Sequence, residues 1–442
     1  MNDFLIDKQT LTDLQLLNGP DTDRSILSLF NFTATIAGKA LLRDFFDSPS
    51  VDIFQLQKRS ENIQFFAGNP VKLSLDEQSL DFIEFYIRSL VKPMRFSLFH
   101  TCRNGLKNYF SPKQDYYTKK KGALDLYDIL EQASDFCKLS KKDNEIITEL
   151  KLLTDTVLKD LKLKKQHSYR IFRETILIDI CDFAFRNTHL EPIKRILHII
   201  YEIDVYQSIA QAASAMNLSF PTYITSGKQR IELEGLFHPL LANPVSNDVY
   251  FDADKNVCLL TGANMAGKST LIKSVAIAFY LAHIGFPVPA RQMRTHVFDG
   301  LLTSINLSDD LSRGYSHFYS EVLRVKWVLE EIMEKKRLLV IFDELFRGTN
   351  VKDASESSTL IIQKLSGAVN SFFIISTHLT EAAIHLKDHP NINFLHFQSS
   401  FIDNTPSFNY KLLEGITDER LGWWILKREG INDLLDSLSN AQ

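Results

Sequence analysis

Apolar residues in the first half of the chain recur at helical spacing. Over 122–140, Leu124, Leu126, Ile129, Leu130, Ala133 and Phe136 form one stripe. Ile146, Ile147, Leu150, Leu153, Val157, Leu158 and Leu161 form a second. Such periods predict long amphipathic helices packed through those stripes. Residues 1 to about 225 read this way throughout, with Pro49, Pro70, Pro93 and Pro112 at helix ends. The texture breaks at NLSFPTYITSG (217–227), a stretch containing proline and glycine that reads as a domain boundary. Beyond it, short β-prone apolar runs at 257–260, 338–342 and 372–375 alternate with helical segments. Strands separated by helices indicate a parallel α/β sheet. From Asp418 on the pattern is helical again. The fold class expected is therefore α + α/β, with a helical domain at 1–225, an α/β domain at 226–415 and a helical tail at 416–442.

Composition adds limits. The chain has 442 residues, 45% hydrophobic and 24% charged, with only 17 Gly and 13 Pro, which suits a globular protein of long helices. A net charge of −4 argues against a wholesale nucleic-acid coat and leaves room for a local basic face. The four cysteines show no paired spacing, so neither a zinc site nor a disulfide framework is expected. The opening MNDFLIDKQT has no signal-peptide character, and no run is apolar for 18 residues. A cytoplasmic protein without a membrane span is expected.

The chemistry is concentrated in NVCLLTGANMAGKSTLIKS (256–274). An apolar strand runs into Gly262-Ala263-Asn264-Met265-Ala266-Gly267-Lys268-Ser269 and then into a helix beginning with Thr270, the context that G-x-x-x-x-G-K-[ST] requires. Backbone N–H groups of such a loop, together with a helix N-terminus, cradle the β-phosphate of ATP. Lys268 neutralises β- and γ-oxygens, and the Ser269 hydroxyl is a ligand for Mg²⁺. Further on, RLLVIFDELFRGTN (337–350) ends an apolar strand in Asp343-Glu344. Acidic groups at the carboxyl edge of a parallel sheet suit a Mg²⁺-holding Asp343 and a Glu344 that orients the attacking water. A third strand ends in Thr377-His378. On spacing alone, this histidine reads equally as a γ-phosphate hydrogen-bonding group or as a polar strand cap.

These segments together resemble the MutS family. GANMAGKST is similar to its GPNMGGKST, DELFRGTN to DEIGRGTS and STHLTE to ATHYFE. DDLSRGYSHFYSE (309–321) resembles the family's signature segment through Gly314, Ser316, Phe318 and Glu321, and GFPVPA (285–290) also matches. The likeness continues in DRSILSLFNFTATIAGKALLRDFFDSP (23–49), EIDVYQSIAQAA (202–213), GLFHPLL (235–241) and RLGWWILKREGI (420–431). It implies a helical core and lever domain followed by an ABC-like P-loop ATPase. It also implies a homodimer in which Ser316 acts in trans on the partner's nucleotide. Arg347, Gly348, Thr349 and Asn350 would then lie along the seam, and the helices around Trp423, Trp424 and Ile425 would dimerise or pack on their own domain.

By the same resemblance the partner is duplex, mismatched or branched DNA, in repair or recombination control. The family's mismatch-reading and connector domains are expected to be absent, with a reduced clamp at 119–165. Phe82-Ile83-Glu84 and Phe172-Arg173-Glu174 repeat the mismatch-wedge tripeptide but fall in helical segments. Candidate DNA-backbone contacts are Lys119, Lys120, Lys121, Lys138, Lys141, Lys142, Lys162, Lys164 and Lys165. A lysine-rich helix face that is simply solvated is the alternative. Pro244 stands where the family has an adenine-stacking aromatic, with Val245 and Tyr250 the candidates for its place. His317 replaces a threonine and Phe346 a glycine. Two other functions compete: an ATPase that remodels a ribosome or protein complex, and a nucleotide-binding partner without turnover. Lys268, Asp343 and Glu344 argue against the second.

Overall fold

The computed structural model describes residues 4–17, 24–69, 71–89, 114–140, 144–166, 173–263, 265–305, 317–334, 336–346, 349–378, 380–402, 405–417 and 430–431. The chain forms two compact units, one of 30–47 and 61–214, the other of 1–29, 48–60 and 215–442. Pro70, Pro93, Pro112 and nearly all of the expected helical tail, including Trp423, Trp424 and Ile425, lie outside the described residues. Among the described residues no helix is long and apolar enough to cross a membrane.

The chain begins with the short helix α1 (Lys8–Asp13), N-capped by Asp7, whose side chain accepts from the Thr10 N–H. The helical unit contains α2 (Ile36–Phe46), α3 (Glu77–Arg88), α4 (Gln114–Leu139), α5 (Glu145–Gln166), α6 (Arg173–Phe183) and α7 (Leu190–Ala215). The two predicted stripes are the cores of α4 and α5. Leu126, Ile129, Leu130, Ala133 and Phe136 are buried, as are Ile146, Ile147, Leu150, Val157, Leu158 and Leu161. Leu124 instead faces out, 44% exposed. The packed face is set by Gly122, where a Cβ would sit 2.2 Å from the Tyr86 ring of α3. Leu124 lies about 200° around the helix from it.

Lys119 is three residues before Gly122 and turns inward with it. Its ammonium lies 3.9 Å from the Asp182 carboxylate, which also accepts from Tyr86 Oη at 2.8 Å and, in bidentate fashion, from Arg186 at 2.7 and 2.9 Å. Lys119 is therefore a core residue, and the expectation that it contacts a DNA backbone is corrected. Lys121 and Lys138 pair with Asp125 and Asp135 of their own helix, each at 2.7 Å. Lys141 and Lys142, and the side chains of Lys162, Lys164 and Lys165, lie outside the described residues.

The start of α2 depends on a carboxylate 170 residues away. Asp204 of α7 accepts from Ala34 N at 2.9 Å, Thr35 N at 3.1 Å and Thr35 Oγ1 at 2.7 Å. Burial raises its pKa, and these three donors only partly offset that. Gly38 makes the approach possible, since a Cβ there would meet Asp204 Oδ2 at 2.3 Å. Asp204→Ala strands buried donors and is expected to cost about 3 kcal/mol, read as a lower urea midpoint with unchanged slope.

The second unit is α/β. Its strands are β1 (Thr222–Tyr223), β2 (Arg230–Leu236), β3 (Asn247–Asp252), β4 (Val257–Thr261), β5 (Gln292–Thr295), β6 (Gly300–Ser304), β7 (Leu338–Asp343), β8 (Phe372–Ser376), β9 (Ile392–Ile402) and β10 (Thr405–Glu414). One sheet has the order β1-β5-β2-β3 and the other β10-β9-β4-β8-β7-β6. In the larger sheet every neighbouring pair is parallel except β10 with β9. The three predicted strands are β4, β8 and β7. All their residues are buried, which explains their unbroken apolar runs.

Helix α8 (Lys268–His283) follows β4 and is buried along most of its length. His283 closes it with both ring nitrogens engaged: Nδ1 lies 2.8 Å from Phe279 O, and Nε2 accepts from Phe298 N at 3.0 Å. This pattern requires the neutral ring, and burial pulls its pKa down from 6.5 to about 4. Between those two values the unfolded chain takes up a proton that the folded chain refuses. Stability is thus full above about 6.5 and falls on acidification through the window, by about 1.4 kcal/mol per pH unit. His283→Gln is expected to flatten that limb of a stability–pH curve.

The other helices of this unit used below are α9 (His317–Met333) and α10 (Val351–Leu365). A strap at 4–13 covers the β6 edge. Leu5 bridges to Gly300 in parallel register. Thr10 Oγ1 accepts from Thr303 N at 2.9 Å, and Asp13 Oδ2 accepts from Thr303 Oγ1 at 2.7 Å and Ile305 N at 3.0 Å. Asp7 takes a bidentate pair from Arg324 of α9 at 2.7 and 3.1 Å. Burial pushes the Asp7 carboxyl up, but hydrogen bonding and charge from Arg324 outweigh it and hold the group below its usual range.

Candidate nucleotide site

The carboxyl ends of β4, β7 and β8 meet at one edge of the larger sheet, and the predicted residues of all three come together there. The loop after β4 turns on Gly262 (φ 141°) and Gly267 (φ 107°), backbone conformations that favour glycine. Met265 takes φ 71° and is 77% exposed at the tip. Asn264 lies outside the described residues. Lys268, the first residue of α8, is buried and curls over the loop, donating to Gly262 O at 2.7 Å and Ala263 O at 3.1 Å. Its ammonium thus sits within the loop, at the amino end of a largely buried helix, where an anion is stabilised.

Ser269, on the first turn of α8, donates to Asp343 Oδ2 at 2.7 Å. Parallel register sets Asp343 of β7 beside Ser376 of β8, and the Ser376 hydroxyl donates to Asp343 Oδ1. The Glu344 N–H in turn donates to Ser376 O at 3.1 Å and is 3.2 Å from Ser376 Oγ. His378 Nδ1 lies 3.3 Å from Glu344 Oε2, so the histidine reaches the carboxylate. Ser376 is a member of this chain that sequence reasoning missed. Its signal was present, as the serine of STHLTE two residues before His378.

A serine hydroxyl and one carboxylate at the lip of a phosphate loop are hard oxygen donors, which suit Mg²⁺. No group of three or more His, Cys, Asp or Glu side chains able to hold a metal occurs among the described residues. The Ser269 and Asp343 oxygens fit an ion that takes the rest of its shell from water and phosphate oxygens, the usual habit of Mg²⁺.

A cavity of about 420 Å³ adjoins the loop, and Lys268, Ser269, Thr270, Glu344 and Met265 open onto it. Its far wall contains His238, Pro244, Val245, Phe397 and Tyr410. Val245, one of the two candidates for the base-stacking place, lines this wall. Tyr250 is not among the lining residues, because β3 alternates and the buried Asn247 and Val249 take the inner face. Tyr410 does reach the cavity, at a register shift of β10 and with φ 53°. Asn247 fixes that shift, donating to Tyr410 O at 3.0 Å and accepting from Leu412 N at 2.8 Å. His238 offers a second flat surface. Burial, with the Lys273 charge adding to it, lowers its pKa to about 4, so its ring is neutral at pH 7.

Glu344 and Phe346 adopt φ of 60° and 64°. Together with Met265, they make three left-handed non-glycine residues at one edge, each costing about 1–3 kcal/mol, a cluster typical of functional sites. Ser316, Gly314, Arg347 and Gly348 lie outside the described residues. His317 opens α9, and Asn350 N-caps α10 by accepting from Asp353 N at 2.9 Å.

Comparison with known proteins agrees with this arrangement. Residues 9–210 match MutS domain III and residues 258–435 match MutS domain V. The chain is 29% identical over 321 residues to the DNA mismatch repair protein MutS of Staphylococcus haemolyticus, covering 69% of this chain and 35% of that one. It is 27% identical over 253 residues to the same-named protein of Halalkalibacterium halodurans, covering 56% and 29%. For that of Clostridioides difficile the identity is 31% over 250 residues, covering 55% and 25%. The matched stretches thus amount to about a third or less of these relatives. With a helical unit and an α/β unit that match two domains of one family, and GANMAGKST, DELFRGTN and STHLTE at the ends of neighbouring strands of one sheet, this chain belongs to the MutS family.

Proposed function

We propose that the chain is an ATPase that uses ATP binding and hydrolysis to drive a DNA-gripping conformational change, as a clamp on duplex, mismatched or branched DNA in repair or recombination control. The observation that carries this reading is the continuous chain Lys268 loop–Ser269–Asp343–Ser376–Glu344–His378 at one sheet edge. Gly262, Ala263, Asn264, Met265, Ala266 and Gly267 supply the phosphate cradle, with the helix terminus at Lys268, Ser269 and Thr270 behind it. Tyr410 and His238 offer flat faces to the base. Ser269 and Asp343 hold Mg²⁺, which neutralises phosphate charge when bound. Glu344 orients water and accepts its proton, while His378 steadies the carboxylate and can reach the γ-phosphate. Phosphoryl transfer needs this positioning more than covalent help.

Ser316, acting from a second copy, completes the site in this reading, so the working form is a C₂ homodimer. ATP closes it because the γ-phosphate is contacted only in the closed state. DNA as cargo rests on the similarity to DNA mismatch repair proteins. One observation favours the alternative cargo, a ribosome or protein complex: Lys119 is interior and Lys121 and Lys138 are paired within their own helix.

The deciding experiment measures ATPase rate with and without homoduplex, mismatched and four-way-junction DNA at two salt concentrations. Stimulation that weakens with salt is expected, because phosphate contacts release counterions. A healthy basal rate indifferent to every DNA would transfer the proposal to ribosomes or protein complexes.

A further inference from the structure

We infer that Phe346 is a positioning residue for the hydrolytic carboxylate: its ring, packed on Phe318, holds the left-handed turn that aims Glu344. The inference rests on the reading of Glu344 given above. β7 ends at Asp343, and the next residues do not continue it. Glu344 has φ 60° and Phe346 φ 64°, two non-glycine residues in a conformation that glycine alone adopts without strain. Such a turn persists only when its surroundings over-determine it.

The surroundings are visible on both sides of the turn. On one side Ser376 holds the Glu344 N–H and His378 meets its carboxylate at 3.3 Å. On the other side Phe346 is 3% exposed, with its ring centroid 5.5 Å from that of Phe318 at 60°. Leu345, Phe346, Val325 and Val328 belong to one buried cluster, against which Phe318 packs. A glycine at 346 would remove the strain, so what phenylalanine adds there is the ring and its hold on α9. Phe318 lies in the first turn of α9, within the segment 309–321 that resembles the MutS signature. Any shift of α9 therefore passes through two aromatic rings to the backbone that carries Glu344.

The test measures kcat and equilibrium ATP binding for Phe346→Leu, Phe346→Gly and Phe318→Leu, with Phe346→Leu also made in a Glu344→Gln background. Phe346→Leu is expected to lower kcat about tenfold, since an ångström of misplacement is costly. ATP affinity should stay within about twofold. Phe318→Leu should match it, the pair together should be no worse than either alone, and Phe346→Leu should not lower the residual rate of Glu344→Gln further. Phe346→Gly is expected to lose kcat as well, although its backbone strain is gone. If it does not fold, the leucine variants carry the test.

Affinity and kcat falling in step, an equal loss in the Glu344→Gln background, or full activity in Phe346→Gly would each overturn the inference. A wild-type chain that binds but never hydrolyses ATP would strike the functional reading itself, and this inference with it. Wild-type turnover alongside an unaffected Phe346→Leu would strike the inference alone.

Discussion

Glu344→Gln is expected to keep nucleotide affinity and lose turnover by about two to four orders of magnitude, the range for removal of a positioned base. The substitution is local in effect. The Glu344 N–H that donates to Ser376 is unchanged, and an amide oxygen can still accept where Glu344 Oε2 meets His378. What disappears is the carboxylate's capacity to take a proton from water. Lys268 keeps its place in the loop, and Ser269 and Asp343 keep their hydrogen bond. Binding of a fluorescent ATP analogue should therefore match wild type while phosphate release nearly stops. A residual rate within tenfold of wild type would place the base elsewhere.

What could be read in advance divides along physical lines. The strands β4, β7 and β8 were legible because burial on both faces leaves a continuous apolar run, and the strand–loop–helix turn after β4 because its left-handed positions at 262 and 267 favour glycine. The convergence of Ser269, Asp343 and His378 followed from those strands lying side by side. Tyr410 was not legible, since its approach to the cavity depends on a register shift in a hairpin that no periodic pattern announced. Ser376 was in view but silent, because its role depends on the parallel register opposite Asp343. Lys119 shows a different failure. Counting basic residues ignored the helix face, yet its spacing from Gly122, Leu126 and Leu130 already put it on the packed side. The strap at 4–13 could not be anticipated, because it is held by side-chain hydrogen bonds between residues some 290 positions apart.

That strap is the basis of the largest expected effect on stability, in Gly300→Val. A Cβ at Gly300 would stand 2.5 Å from Leu5 O, 2.7 Å from Leu5 Cβ and 3.0 Å from Leu338 Cδ2. The first of these is backbone and the third belongs to β7, which is fully buried, so the strap is the part that must give way. Its displacement breaks the bonds of Leu5 to Asp299 O and Leu301 N, and the bidentate Asp7–Arg324 pair. It also leaves Thr303 Oγ1 and Ile305 N without the Asp13 carboxylate and lifts the Phe4 ring from His283, where the centroids are 4.9 Å apart. Buried groups stranded in this number put the cost at about 4 kcal/mol or more, among the exceptional single substitutions. Limited proteolysis should then cut within 4–17 at temperatures where the wild type resists, with a matching fall in Tm. Asp13→Ala removes part of the same set without a clash and should fall between the two. A Gly300→Val protein as stable as wild type would mean that the strap can step aside at no cost. In that case the bonds of Asp13 and Asp7 would contribute nothing net.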